Sequence, residues 1–113
     1  MTRDDFTQET KETLAKRVGF RCSNPNCRKL TSGPAIDPGK AVNIGVAAHN
    51  AGASPGGERY DPMQTAEQRK SITNGIWLCQ TCAKLIDSDA ERFPVVLLHK
   101  WKSLSEEAAS YEV

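Results

Sequence analysis

A chain of 113 residues with 38% hydrophobic and only 6% aromatic residues fits one domain, 1–113, whose core is small enough to need a staple. Its formal charge of +1 excludes a uniformly basic nucleic-acid coat, though not local basic patches. The start Met1-Thr2-Arg3-Asp4-Asp5 is too polar for a signal peptide and no apolar run reaches membrane length, so a cytoplasmic protein with no membrane partner is expected.

In chain order, Thr7 is placed to cap a helix running to about Val18, with Leu14 and Val18 one turn apart and Gly19 as its stop. Phe20-Arg21-Cys22 then enters a turn rich in Ser23, Asn24, Pro25 and Asn26, which Cys27 closes. Gly33, Pro34, Pro38 and Gly39 predict loop over 31–41. Val42 to His49 is apolar and partly β-branched and predicts a strand. A Gly/Pro/Ser-rich loop follows over 50–64, then a short helix from Thr65 to Ser71. Gly75 to Cys79 predicts a second strand, and Gln80 to about Ser88 a helix. Pro94 suits the first turn of a final helix to about Ala109, with Val95, Leu98, Trp101 and Leu104 or Ser105 along one stripe. Trp77 and Trp101 are expected in the core, and His99, amid lysines, on the surface or in packing rather than in catalysis. That last helix ends without a clear stop, so the domain is expected to be part of a longer chain.

The four cysteines form two pairs, Cys22-x4-Cys27 and Cys79-x2-Cys82. In a reducing compartment such pairs bind metal more readily than they form disulfides. Each pair sits on a turn short enough for both sulfurs to converge, and together they can offer four thiolates to one tetrahedral Zn²⁺. A redox Cys-x-x-Cys reading would leave Cys22 and Cys27 without a role. Closing a loop from residue 27 to residue 79 removes much chain entropy from the unfolded state. Zinc is therefore expected as the structural staple.

His49 ends the first strand and precedes the flexible loop. A neutral imidazole there can take a proton from water for attack on phosphorus, with a divalent cation at the scissile phosphate. Alone, a histidine at a strand end is more often a packed side chain; its combination with Asn74 and the cysteines is what points to chemistry.

The segments Asn43-Ile-Gly-Val-Ala-Ala-His49, Gly57-Glu-Arg-Tyr-Asp61 and Ser71-Ile-Thr-Asn-Gly-Ile-Trp-Leu-Cys79-Gln-Thr-Cys82-Ala-Lys-Leu-Ile-Asp87 together resemble an HNH endonuclease domain. The likeness is strongest to those of bacterial anti-phage effectors, where the nuclease is often fused to a cyclic-oligonucleotide sensor domain. It covers roughly residues 10–102. The resemblance implies an α+β fold of the ββα-metal kind, zinc-stapled, with flanking N- and C-terminal helices. It implies His49 as general base, Asn74 as the residue that shapes the base loop, and a helix residue as ligand of a catalytic Mg²⁺ or Mn²⁺. Many relatives carry Asp or His where this chain has Ala48, and His where it has Ala83. Asp87, four residues beyond Ala83 and on the same helical face, takes the ligand position.

Arg59 and Tyr60, between base and asparagine, are candidates to hold substrate, Arg59 on a phosphate. Arg69, Lys70, Lys84, Lys100 and Lys102 are candidates for non-specific backbone contacts. The expected activity is cleavage of DNA, double-stranded and with little sequence preference, in anti-phage defence. A fused sensor domain or oligomerisation would then supply productive engagement. The alternative is a non-catalytic zinc module that binds nucleic acid or protein through a vestigial site, which Ala48 and Ala83 favour.

Overall fold

The computed structural model describes residues 3–113. Met1 and Thr2, the first two residues of the polar start, lie outside the described residues. The order is α1 (Gln8–Arg17), β1 (Ser32–Pro34), β2 (Ala41–Asn43), β3 (Gly45–His49), α2 (Ala66–Lys70), a 3-10 turn (Ile72–Asn74), β4 (Gly75–Cys79), α3 (Gln80–Ser88) and α4 (Val95–Glu112). The described residues form a small α+β fold with four helices and two small antiparallel sheets, β1–β2 and β3–β4. No helix among the described residues is long and apolar enough to cross a membrane.

Local chemistry sets the helix ends. Thr7 Oγ1 accepts from the Thr10 amide at 3.1 Å and caps α1. At the other end Gly19 turns the chain at φ +62°, with its own amide on Lys16 and the Phe20 amide on Ala15. Those two bonds satisfy carbonyls the helix leaves open. Thr65 and Gln68 cap α2 reciprocally, each side chain bonded to the other's backbone amide.

The β3–β4 pair is the centre of the fold. Its register sets Gly45 opposite Cys79 and His49 opposite Gly75. Every residue of β4 is buried, because helices cover both of its faces. Ile76 and Leu78 face one way, into a cluster with Cys22, Cys82, Ile86, Leu98 and Trp101. Trp77 faces the other way, against Ala15 and Val18 of and beside α1. The helix α4 buries Leu98, Trp101 and Ser105, while Leu104 and His99 stay outside.

The stretch 42–49, expected as a single strand, is two. The chain leaves β2 at Ile44, whose amide bonds the Thr31 carbonyl at 2.8 Å, and starts β3 with a different partner. The first partner, β1, lies within 31–41, where the prolines and glycines predict loop. Pro34 ends that strand and so interrupts no ladder. Apolar content marks a strand but carries no sign of where it changes partner. The final helix also runs three residues past its expected end, to Glu112.

Gly45 opens β3, one residue after the change of sheet at Ile44. A Cβ there would lie 2.1 Å from Cζ2 of Trp77, whose Nε1–H donates to Thr31 Oγ1 at 2.9 Å. Gly45→Ala should therefore displace the indole and cost about 1–3 kcal/mol. Urea unfolding of the zinc-loaded protein measures this, and an unchanged midpoint would mean the indole has room to move.

Candidate functional site

The four sulfurs come from two elements that β4 brings together. Cys22 and Cys27 sit on the turn after α1, pinned by the Cys22 amide on Lys29, the Cys27 amide on Asn24 and the Asn26 amide on Asn24 Oδ1. Cys79 ends β4 and caps α3, its sulfur accepting from the Cys82 amide at 3.4 Å. All four Sγ atoms lie within 4.8 Å of one another, and the four residues are free thiols. Thiolates about 2.3 Å from a tetrahedral zinc sit about 3.8 Å apart. The Cys27–Cys79 sulfur separation is 3.9 Å, which fits a shared ion and is far too long for a disulfide. Asn24 Nδ2 donates to Cys82 Sγ at 3.5 Å, an outer contact of the sort that orients a metal ligand. Burial pushes the Cys22 thiol up, and Cys82 up to about 11. Thiols so placed need a cation beside them to ionise near neutrality. The donor set is one that holds zinc.

His49 ends β3 and is 7% exposed. Its ring stacks on Phe6, centroids 4.0 Å apart and planes 11° from parallel. Nε2 lies 2.8 Å from the Asp4 carbonyl oxygen. A carbonyl can only accept, so Nε2 carries the proton. In the neutral ring Nδ1 is then a bare lone pair, buried and without a partner among the described residues. Burial lowers the His49 pKa from 6.5, with Arg3 adding to the fall, while the Asp4 carbonyl and the Asp4 and Asp5 charges oppose it. The ring is neutral at pH 7, as a base must be.

Asn74, 4% exposed, is bonded to the loop that follows His49. Its Oδ1 accepts from the Ala51 amide at 3.0 Å, and its Nδ2 donates to the Ala51 and Arg69 carbonyls at 3.1 Å each. The Asn74 carbonyl takes the Asn50 amide at 2.8 Å. Asn74→Ala would leave three buried backbone groups unpaired. At about 1–3 kcal/mol for such a group, with incomplete additivity, the loss should reach about 2–4 kcal/mol. Hydrogen exchange at the Ala51 amide reads the local part, and an unchanged rate there would remove the loop-holding role.

His49, Ala83 and Asp87 line one cleft of about 130 Å³, with Arg3, Gly52, Glu58 and Arg59 on its rim. A larger groove of about 320 Å³, between α1 and β3, holds none of the candidate catalytic side chains. Asp87 is exposed, and its Oδ1 is taken by Arg59 Nη2 at 2.9 Å. Oδ2 has no bond among the described residues.

The placement of Arg59 departs from that expected of a phosphate ligand. Its side chain is only 6% exposed and also donates to the Asn50 carbonyl at 3.0 Å and the Ile86 carbonyl at 2.8 Å. The residue holds φ at 58°, a left-handed conformation costing about 1–2 kcal/mol, which those three bonds offset. Arg59 thus ties the loop to α3. Tyr60 is half-buried beneath Arg69, whose guanidinium carbon lies 4.7 Å from the ring centroid. Lys70, Lys84 and Lys100 are exposed, as backbone contacts require. Arg69 and Lys102 are not. Arg69 is 9% exposed, and Lys102 donates to the Ile72 carbonyl at 2.6 Å.

Asp4 and Phe6 touch His49 and carry no sequence signal, while Glu58, within the Gly57–Asp61 segment, lines the cleft without having been singled out. An apolar residue just before a helix cap ordinarily packs against the fourth helical residue, which here is Lys11. Nothing in that pattern sends Phe6 to His49. Comparison with protein-family models finds no matching family, and comparison with curated proteins finds no matching relative.

Proposed function

We propose that this chain is an HNH-type endonuclease domain that hydrolyses DNA phosphodiester bonds in the cytoplasm, with His49 as general base. The observation that carries the reading is the state of His49: a buried neutral ring at the end of an antiparallel pair, its proton fixed on Nε2 and its Nδ1 lone pair without a partner among the described residues. Three further features support it. The helix after β4 packs on the β3–β4 pair, giving a ββα arrangement. Asn74 holds the loop after the base. The four-cysteine site sits where the resemblance puts a structural zinc.

In this reading Nδ1 accepts a proton from the attacking water, and the Asp4 carbonyl stabilises the resulting imidazolium through Nε2–H. Bound Mg²⁺ or Mn²⁺ would supply charge stabilisation at the scissile phosphate. Asp87 Oδ2 would hold such an ion, with Glu58 lining the same cleft. Hard dications accept few protein ligands and keep their waters, so a small donor set suffices. Lys70, Lys84 and Lys100 provide contacts to the phosphate backbone, whatever the sequence. With a net charge of +1 such contacts are weak. Double-stranded DNA is the substrate, and a fused sensor or self-association supplies engagement by multivalency, consistent with an anti-phage effector.

The Arg59–Asp87 ion pair favours a second reading, a zinc module that binds nucleic acid or protein without cutting. Nicking of supercoiled plasmid by the zinc-loaded protein separates the two. Relaxed circles should form only with added Mg²⁺ or Mn²⁺. DNA binding with no cleavage under either ion would leave the binding module.

A further inference from the structure

The residues ahead of α1 cross His49 as a strap. Asp4 alone makes three separate ties. Its amide donates to the Ala53 carbonyl at 3.0 Å, in the loop beyond the base. Its carbonyl takes the His49 Nε2 proton. Its carboxylate Oδ2 accepts from Arg69 Nη1 at 3.2 Å, in a pair whose side chains are 18% and 11% exposed. Two residues on, Phe6 lies flat on the imidazole and is itself 5% exposed.

Arg69 is the anchor of this strap. Its Nη2 donates to the Gln64 carbonyl at 2.7 Å, and its own carbonyl is held by Asn74 Nδ2. Asn74, which holds the loop after His49, thus also bonds the residue that holds the strap. Among the described residues the histidine ring has one polar contact and one stacking contact, and the strap provides both.

We propose that Asp4 and Arg69 are positioning residues: their ion pair seats the strap so that the Asp4 carbonyl and the Phe6 ring fix the tautomer and plane of His49. A free histidine populates both neutral tautomers and turns about its side-chain bonds. Only the form with Nε2 protonated leaves Nδ1 able to accept a proton, and only one ring plane aims it. The Asp4 carbonyl selects that form and the Phe6 stack holds that plane. The significance of the setting for cleavage rests on the nuclease reading; the setting itself does not.

The test reads the histidine directly. Ring-nitrogen NMR of zinc-loaded wild type at neutral pH should show His49 protonated on Nε2 and bare on Nδ1. Asp4→Ala, which keeps the carbonyl but frees the strap, should give a mixture of tautomers. Asp4→Glu, which keeps a carboxylate for Arg69, should restore the single form. In plasmid nicking, Asp4→Ala should lower kcat about 10-fold to 100-fold with KM little changed, and Asp4→Glu should recover most of it. A wild-type ring protonated on Nδ1 overturns the proposal without any variant, as does an Asp4→Ala sample that keeps the wild-type tautomer. A wild type with the expected tautomer that cuts no DNA refutes the nuclease reading and leaves the positioning intact.

Discussion

Stripping the metal from the four-cysteine site should unfold the protein. A structural zinc contributes an apparent ~10–16 kcal/mol near neutral pH, as much as or more than the ~5–15 kcal/mol total stability of an ordinary domain. The packing here cannot replace it. The cluster around Ile76, Leu78 and Ile86 includes Cys22, Cys79 and Cys82 themselves, so losing the ion also leaves buried thiols in the middle of the largest apolar cluster. Cys27 is the exposed member and gives a chelator its point of entry. Elemental analysis of reduced, folded protein should find about one zinc per chain. Circular dichroism should then show loss of structure as a strong chelator removes it, and recovery when zinc is returned. A folded, reduced, zinc-free sample would contradict the staple outright.

Replacing His49 should abolish cleavage. General-base catalysis is worth about 10²–10⁴ in rate, and no other side chain in the cleft offers a neutral nitrogen. The variant has a structural cost as well, because the ring is buried and stacked on Phe6. His49→Ala leaves a void beside the strap that should cost about 1–3 kcal/mol; His49→Gln fills more of it and separates lost chemistry from lost packing. Both should still bind zinc, because the four cysteines lie towards the other end of β3 and β4.

The acid limb of activity carries the same signature. The lowered pKa of His49 keeps its ring neutral as pH falls through about 6.5, the ordinary histidine value, so if His49 is the base, activity should persist below it. The groups around the ring are Arg3, Asp4 and Asp5 on the strap and Glu58, Arg59 and Asp87 on the cleft. Stability moves oppositely: the unfolded chain protonates His49 first, so its contribution is present above about 6.5 and is lost as pH falls towards the lowered value. Undiminished nicking by both variants would place the base elsewhere.

The parts of this molecule that were legible in the sequence are those written in local chemistry. Thr7 and Gly19 mark α1 because capping and left-handed turns depend on one residue each. The spacing of Cys22, Cys27, Cys79 and Cys82 announces a shared ion because few other arrangements use all four. Asn74 stood out only through its setting in a longer pattern. What was not legible is what depends on distant segments meeting. The β1–β2 hairpin was hidden by prolines that fall at its end. Arg59 looked like a free cation, yet its neighbours Asn50, Ile86 and Asp87 are supplied by other parts of the chain. The strap over His49 joins residues 4 and 49, and no periodicity links them.

The cysteine clamp also sets an order of events during synthesis. Its second pair is made about fifty residues after its first, and Cys82 lies beyond β4. Until Cys82 has left the ribosome, Cys22 and Cys27 can offer a metal only two sulfurs, too few for a closed site. The partner strand of His49 is made in that same late stretch. A nascent chain therefore emerges with His49 unpaired and its four-cysteine cluster half built, and both are completed within a few residues of each other. Translation that stops before Cys82 yields a fragment with neither metal centre nor β3–β4 pair, one that quality-control proteases can recognise by its unfolded state.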